Sequence, residues 1–125
     1  MEHPIFQACE KGNFDKLVQY MHEYNYSILD LNDAFILACR YGHLNLCKYL
    51  LQYNGNIKIS AKEDEAFCSA CENGHFEIAI WLLRLKPDIN IMAQNNRPFK
   101  LSQHNEHNDI ATWLIRLQPE IIECL

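Results

Sequence analysis

Shifted by 32 positions, this chain of 125 residues lies on top of itself. Ala34, Phe35, Ala38, Cys39, Gly42 and His43 fall on Ala66, Phe67, Ala70, Cys71, Gly74 and His75, and Leu50, Leu51, Ile57, Ile59 and Ala61 fall on Leu82, Leu83, Ile89, Ile91 and Ala93. A second shift of 32 carries Phe67, Asn73, His75, Ile78, Ala79, Trp81, Leu82, Arg84, Leu85, Pro87 and Ile89 onto Phe99, Asn105, His107, Ile110, Ala111, Trp113, Leu114, Arg116, Leu117, Pro119 and Ile121. Each register holds eleven identities, where unrelated segments of ordinary composition share roughly two. The start of the chain joins at a shift of 30, with Ala8, Cys9 and Gly12 matching Ala38, Cys39 and Gly42. A unit this short cannot cover its own apolar face, so the four units must stack and bury a core between neighbours.

Each unit reads as two helices. In the second, Phe35 to Tyr41 forms a short helix whose small Ala38 and Cys39 let a neighbour approach, and Gly42 ends it by taking positive φ. Leu44, Leu46, Cys47, Leu50 and Leu51 then recur on one face of a second helix. Gly55-Asn56 closes that helix, and the alternating Ile57-Lys58-Ile59 predicts a short extended segment. At the ends, Lys16 stands where Leu46, Ile78 and Ile110 stand later, and Ser102-Gln103 replaces the Ala-Cys pair. Both changes suit terminal units with polar outer faces. The last helix keeps Ile110, Ala111, Trp113, Leu114, Ile115 and Leu117, an apolar surface that the tail Ile121–Leu125, another chain or a further unit would have to cover.

Composition narrows the function classes. Hydrophobic residues make up 49% and charged residues 22%, which suits a folded domain, and the net charge of −5 argues against a nucleic-acid partner. No run approaches a membrane span, and the opening Met1-Glu2-His3-Pro4 lacks a basic leader. We therefore expect an intracellular, cytoplasmic protein, with its six cysteines present as reduced, packed thiols.

The repeat resembles the ankyrin repeat. The family's T-P-L-H position stands as His3-Pro4-Ile5-Phe6, Asp33-Ala34-Phe35-Ile36, Glu65-Ala66-Phe67-Cys68 and Arg97-Pro98-Phe99-Lys100, and Gly42-His43, Gly74-His75 and Asp88-Ile89-Asn90 match its turns. The resemblance implies an all-α solenoid of stacked helix–turn–helix units with short hairpin-like loops, one domain with repeats at about residues 3–30, 31–61, 62–93 and 94–125. The motif's Thr and His are absent and the turn glycine ahead of it is gone, so the hairpin fingers should be short or irregular. The Asn- and Ile-rich style, with Ala70-Cys71-Glu72-Asn73-Gly74-His75, is similar to ankyrin arrays of large DNA viruses, which would place the protein in a host cytoplasm.

What the resemblance implies about function is protein recognition, without catalysis or a cofactor, through a concave face. That face would comprise the pair before each Gly-His turn: Glu10-Lys11, Arg40-Tyr41, Glu72-Asn73 and His104-Asn105. Arg40 and Tyr41 stand out because Arg and Tyr are enriched among interface hot spots. Finger residues Asn32, Lys62, Glu63, Asp64, Asn95, Asn96 and Arg97 would form a polar rim. Leu82 followed by Asp88-Ile89-Asn90 resembles the context of ankyrin asparagines hydroxylated by an oxygen-dependent dioxygenase, which makes Asn90 a candidate.

Other readings compete on the same residues. Cys68-x-x-Cys71 with His75, and His104-x-x-His107, have metal-like spacing, yet Cys71 holds a core position and both His75 and His107 belong to turns. No phosphate loop, nucleophile elbow or acid–base pair is apparent. Tyr49, Trp81 and Trp113 share one register position, as an inter-repeat stacking stripe would. A structural role also stays open, in which a monomer self-associates through Trp113, Leu114 and Ile115, or in which the chain is one segment of a longer array.

Overall fold

The computed structural model describes residues 3–124 and is helical throughout, in four antiparallel pairs. The pairs are α1 (Pro4–Lys11) with α2 (Phe14–Glu23), α3 (Ile28–Arg40) with α4 (Leu44–Tyr53), α5 (Ala61–Glu72) with α6 (Phe76–Leu85), and α7 (Ala93–His104) with α8 (Asn108–Leu117). A 3₁₀ helix, Pro119–Cys124, follows. Local chemistry sets several starts. Pro4 sits in the first turn of α1, where a missing N–H costs nothing, and the side chains of His3, Asn13 and Ser27 accept from Ile5, Lys16 and Asp30 backbone amides at 3.3, 3.1 and 3.1 Å.

The inner helices α1, α3, α5 and α7 pack side by side, and each outer helix lies behind its own inner one. Ala38 and Cys39, and Ala70 and Cys71, are fully buried, which lets the inner backbones approach closely. Phe35, Phe67 and Phe99 fill the space toward the outer helices, met by Leu50, Leu82 and Leu114. Each such side chain contributes roughly 1.5–3 kcal/mol of burial. Lys16 is exposed where Leu46, Ile78 and Ile110 are buried, because no helix covers that side of α2. Trp81 and Trp113 reach back one unit to Phe35 and Phe67, each at a ring separation of 6.2 Å.

Neighbouring units are keyed together at the Gly-His turns. Gly12, Gly42 and Gly74 hold φ of 73°, 84° and 80°, and the residue after each donates its amide to Ala8, Ala38 and Ala70 carbonyls at 2.9, 2.9 and 2.8 Å. The histidine of the next unit then lies on the glycine. A Cβ built on Gly12, Gly42 or Gly74 would stand 2.5, 2.5 or 2.6 Å from Cε1 of His43, His75 or His107. His43 Nε2 also meets the Glu10 carbonyl at 3.0 Å, and His75 bonds the Arg40 carbonyl. In unit four the glycine position is Glu106, which takes the same left-handed φ of 63° with no turn histidine above it.

The fingers differ from expectation. Among the described residues there is no strand, and Ile57-Lys58 is irregular backbone leading into a turn at Ile59, with Ile57 buried. In unit two the inner helix starts at Ile28, well ahead of Phe35, so helix replaces the finger. In units three and four, Lys62-Glu63-Asp64 and Gln94-Asn95-Asn96 form left-handed turns with φ between 54° and 62°. Each non-glycine residue held this way costs roughly 1–2 kcal/mol, so the turns need external support. Gln94 Nε2 supplies some by donating to the Lys62 and Glu63 carbonyls at 3.3 and 3.1 Å. Side chains at one register position supply more: Asn32 accepts from Lys58 N at 2.8 Å, Asp64 accepts from Asn90 N at 3.2 Å, and Asn96 donates to the Ile121 carbonyl at 3.4 Å.

The apolar C-terminal end is partly covered, with Leu117 and Ile122 still exposed. The 3₁₀ helix packs on α7 and α8, with Ile121 fully buried. Of the three covers considered for the last helix, the tail is the one seen packed on it. Leu114 has no exposed surface, Trp113 stacks on Phe67 and Phe76, and Ile115 is half-buried.

The keyed turns give a paired prediction. Gly42→Ala should lower unfolding stability by about 2–4 kcal/mol, combining the left-handed penalty with the clash against His75. Glu106→Ala, at the same kind of φ but with nothing seated on it, should change stability by less than about 0.5 kcal/mol. Urea unfolding of both variants checks this, and equal losses would contradict the seating.

Candidate protein-binding face

The pairs ahead of the turns come into line because they end the four side-by-side inner helices. Glu10, Lys11, Tyr41, Asn73, His104 and Asn105 are exposed, while Arg40 and Glu72 are half-buried. Part of this ladder is already engaged within the stack. Asn73 Nδ2 donates to the Ser69 carbonyl and Asn105 Nδ2 to the Glu72 carbonyl, each at 2.9 Å, and the Glu72 carboxylate accepts from Arg97 Nη2 at 2.6 Å. Glu10, Lys11, Tyr41 and His104 remain exposed, with Tyr41 44% exposed, and Arg40 has only a long contact to Glu65 at 3.5 Å.

The proposed rim divides. Lys62, Glu63 and Asn95 face solvent. Asp64 and Asn96 do not: they are 9% and 3% exposed, since their side chains turn inward to hold the left-handed turns. Asn32 is half-buried and held by the Lys58 amide. Arg97 lies across the inner face as a structural cation.

Around Arg97 runs a charged network. Arg97 Nη1 reaches Glu65 Oε1 at 2.8 Å and Gln94 Oε1 at 2.7 Å. Glu65 also accepts from the Ser69 hydroxyl at 2.5 Å and from Gln94 Nε2 at 3.2 Å, and only distantly from Arg40, at 3.5 Å. Burial alone would raise the Glu65 pKa, but the hydrogen bonds from Arg97, Ser69 and Gln94 and the Arg97 charge outweigh it and hold it down to about 2. The same carboxylates raise the Arg97 pKa against its own burial.

Beside this network a groove of about 330 Å³ opens across units one to three. Its floor is Phe6, Ile36 and Leu37, and Asp33, Arg40, Lys62 and Glu65 stand at its edge. Lys62 Nζ meets Asp33 Oδ1 at 2.8 Å with 65% of its side chain exposed. Of these residues, sequence reasoning singled out only Arg40 and Lys62. A signal for the others existed: Asp33, Glu65 and Arg97 occupy one register position, so adjacent units place opposite charges side by side at Glu65 and Arg97.

The remaining candidates have structural surroundings. Cys9, Cys39, Cys47, Cys68 and Cys71 are buried free thiols, with Cys39 and Cys47 sulfurs 3.4 Å apart. Burial pushes the Cys9 and Cys68 thiols up to about 12 and the Cys71 thiol well above its ordinary value, which leaves them inert as nucleophiles. His75 and His107 are seated on glycines. Among the described residues, no group of three or more His, Cys, Asp or Glu is placed to hold a metal ion. Asn90 is exposed, with its Oδ1 accepting from Met92 N at 3.0 Å. No helix is long and apolar enough to cross a membrane.

The Glu65 network makes stability depend on pH in a known direction. A carboxylate whose folded pKa is depressed stabilises the fold above its unfolded value of 4.5, and that contribution is lost as pH falls from 4.5 toward about 2. Glu65→Gln should already be less stable at neutral pH and should lose less than the parent across that window. Urea midpoints at several pH values measure this, and parallel profiles would contradict it.

Comparison with known proteins agrees with the geometry. The family model for ankyrin repeats, in three copies, matches residues 5–95, and so stops at the start of α7, ahead of Ser102, Gln103 and Glu106, which depart from the pattern. Among solved structures, an ankyrin repeat family protein from Legionella pneumophila superposes with a TM-score of 0.75 and 27% sequence identity over 89% of this chain. This chain spans 35% of that protein's length. No curated protein matches closely enough to carry a function across. On the repeat register, the keyed helix pairs and the family match, the chain belongs to the ankyrin-repeat family.

Proposed function

We propose that this protein is a non-catalytic recognition module that binds a protein partner through the inner-helix face of its stack, acting in the cytoplasm. Ankyrin repeats are in general protein–protein interaction modules. The observation that carries the reading here is the contrast between a repeated, keyed core and an inner face whose pairs differ from unit to unit: Glu10-Lys11, Arg40-Tyr41, Glu72-Asn73 and His104-Asn105. A rigid stack orders little on binding, so exposed residues such as Tyr41 convert contact into affinity efficiently. Lys62, Glu63 and Asn95 form the solvent-facing rim beside it. Asn90, exposed on its turn, is the candidate for hydroxylation, and a 16 Da mass gain after treatment with an asparaginyl dioxygenase would register it.

The test is affinity capture from cell lysate with the parent and with a Lys11→Ala, Arg40→Ala, Tyr41→Ala control. These changes leave the Arg97–Glu65–Glu72 network intact. A protein retained by the parent and lost from the control supports the reading. Recovery of the same proteins by both baits would overturn it.

A further inference from the structure

Units three and four show how the space between adjacent inner helices is filled. There the Arg97 guanidinium lies over the helices, with Glu65 at 2.8 Å on one side and Glu72 at 2.6 Å on the other. One register back, the residue equivalent to Arg97 is Glu65, and the equivalents of Glu65 and Glu72 are Asp33 and Arg40. The matching space is not filled from within. Glu65 is drawn toward unit four by Arg97 and Gln94 and held along its own helix by Ser69, and what it leaves behind is the groove lined by Phe6, Ile36 and Leu37. Unit four carries its own plug, and units two and three lack one.

The polar groups at this opening select the chemistry of an occupant. Asp33 is met by Lys62 at 2.8 Å, so a cation entering there would have to displace an ion pair. Arg40 has a single contact, to Glu65 at 3.5 Å, with 37% of its side chain exposed. A guanidinium with most of its donors unused accepts a carboxylate best, through two parallel N–H bonds. Glu65 can release its long contact to Arg40 because three other donors still hold it. Beside Arg40 the floor is apolar, and the chain's net charge of −5 opposes an extended polyanion such as nucleic acid.

We infer that the groove across units one to three receives a peptide segment of the partner protein, with an Asp or Glu carboxylate on Arg40 and an adjacent apolar side chain on Phe6, Ile36 and Leu37. This deepens the proposed function by giving the chemistry of the bound segment, and it rests on that reading.

The experiment pans a random 12-residue peptide library against the whole chain, then measures selected peptides by fluorescence polarisation. The expected peptides carry an acidic residue next to Leu, Ile, Met or Phe. Arg40→Ala should weaken them at least tenfold, replacing the peptide acid by its amide should weaken them equally, and combining both changes should add little. Arg40→Glu should instead select Lys or Arg at the same place. Lys48→Ala, on the outer helix α4, should change nothing, and circular dichroism confirms that each variant is folded. Peptides that depend on Lys11 and Tyr41 but not on Arg40 or an acidic residue would overturn this inference and leave the face-binding reading standing. A library with no peptide dependent on any inner-face residue would overturn both.

Discussion

Each turn histidine needs a glycine without a side chain one unit earlier, and the rest of the stack is arranged around that requirement. The imidazoles of His43, His75 and His107 occupy the volume a Cβ would take on Gly12, Gly42 and Gly74. Those glycines are also left-handed, so two demands fall on the same residue: a positive φ to end one helix, and an open face to receive the next unit's ring. The contact fixes the distance between inner helices near their C-terminal ends. At that distance only small residues fit between backbones, and Ala38, Cys39, Ala70 and Cys71 meet the condition. Burial lowers the His75 pKa against the bond to the Arg40 carbonyl, with His43 and His107 adding to the effect, so the ring favours its neutral form. Unit four departs from this pattern, with Glu106 at the glycine position and a 3₁₀ helix packed on α8.

Because the inner helices are locked in register, the polar residues they carry fall into rows, and the rows are not equivalent. Between units three and four, opposite charges pair completely through Arg97, Glu65 and Glu72. Between units two and three the pairing is incomplete, and space and an under-used guanidinium remain. A repeat scaffold thus acquires a distinct place by breaking its own symmetry at one position, Asp33, Glu65 and Arg97, while the core register is kept.

Much of the architecture was legible in the residues. The 32-residue register, the helix pairs, the left-handed glycines and the Tyr49–Trp81–Trp113 stripe all follow from periodicity and identity. The fingers were not legible, because helix and turn propensities differ little over Ile28–Asn32 or Lys62–Asp64, and the deciding bonds come from residues 26 to 32 positions away. Asp64 and Asn96 looked like exposed polar tips for the same reason, although each faces a backbone group of the next turn. The cover on the last helix was one of three open options until Ile121 was seen buried there. At the candidate face, Arg40 and Tyr41 could be selected by residue type, whereas Phe6, Ile36 and Leu37 read as ordinary core until the space above them was visible.

The keyed turns are tested most directly by nuclear magnetic resonance on the isotopically labelled chain. The Hε1 protons of His43, His75 and His107 should each show a strong nuclear Overhauser effect to the Hα protons of Gly12, Gly42 and Gly74 respectively, with His22 and His104 showing none to any glycine. Turn histidines lacking these contacts, with ring resonances like those of exposed imidazoles, would contradict the account.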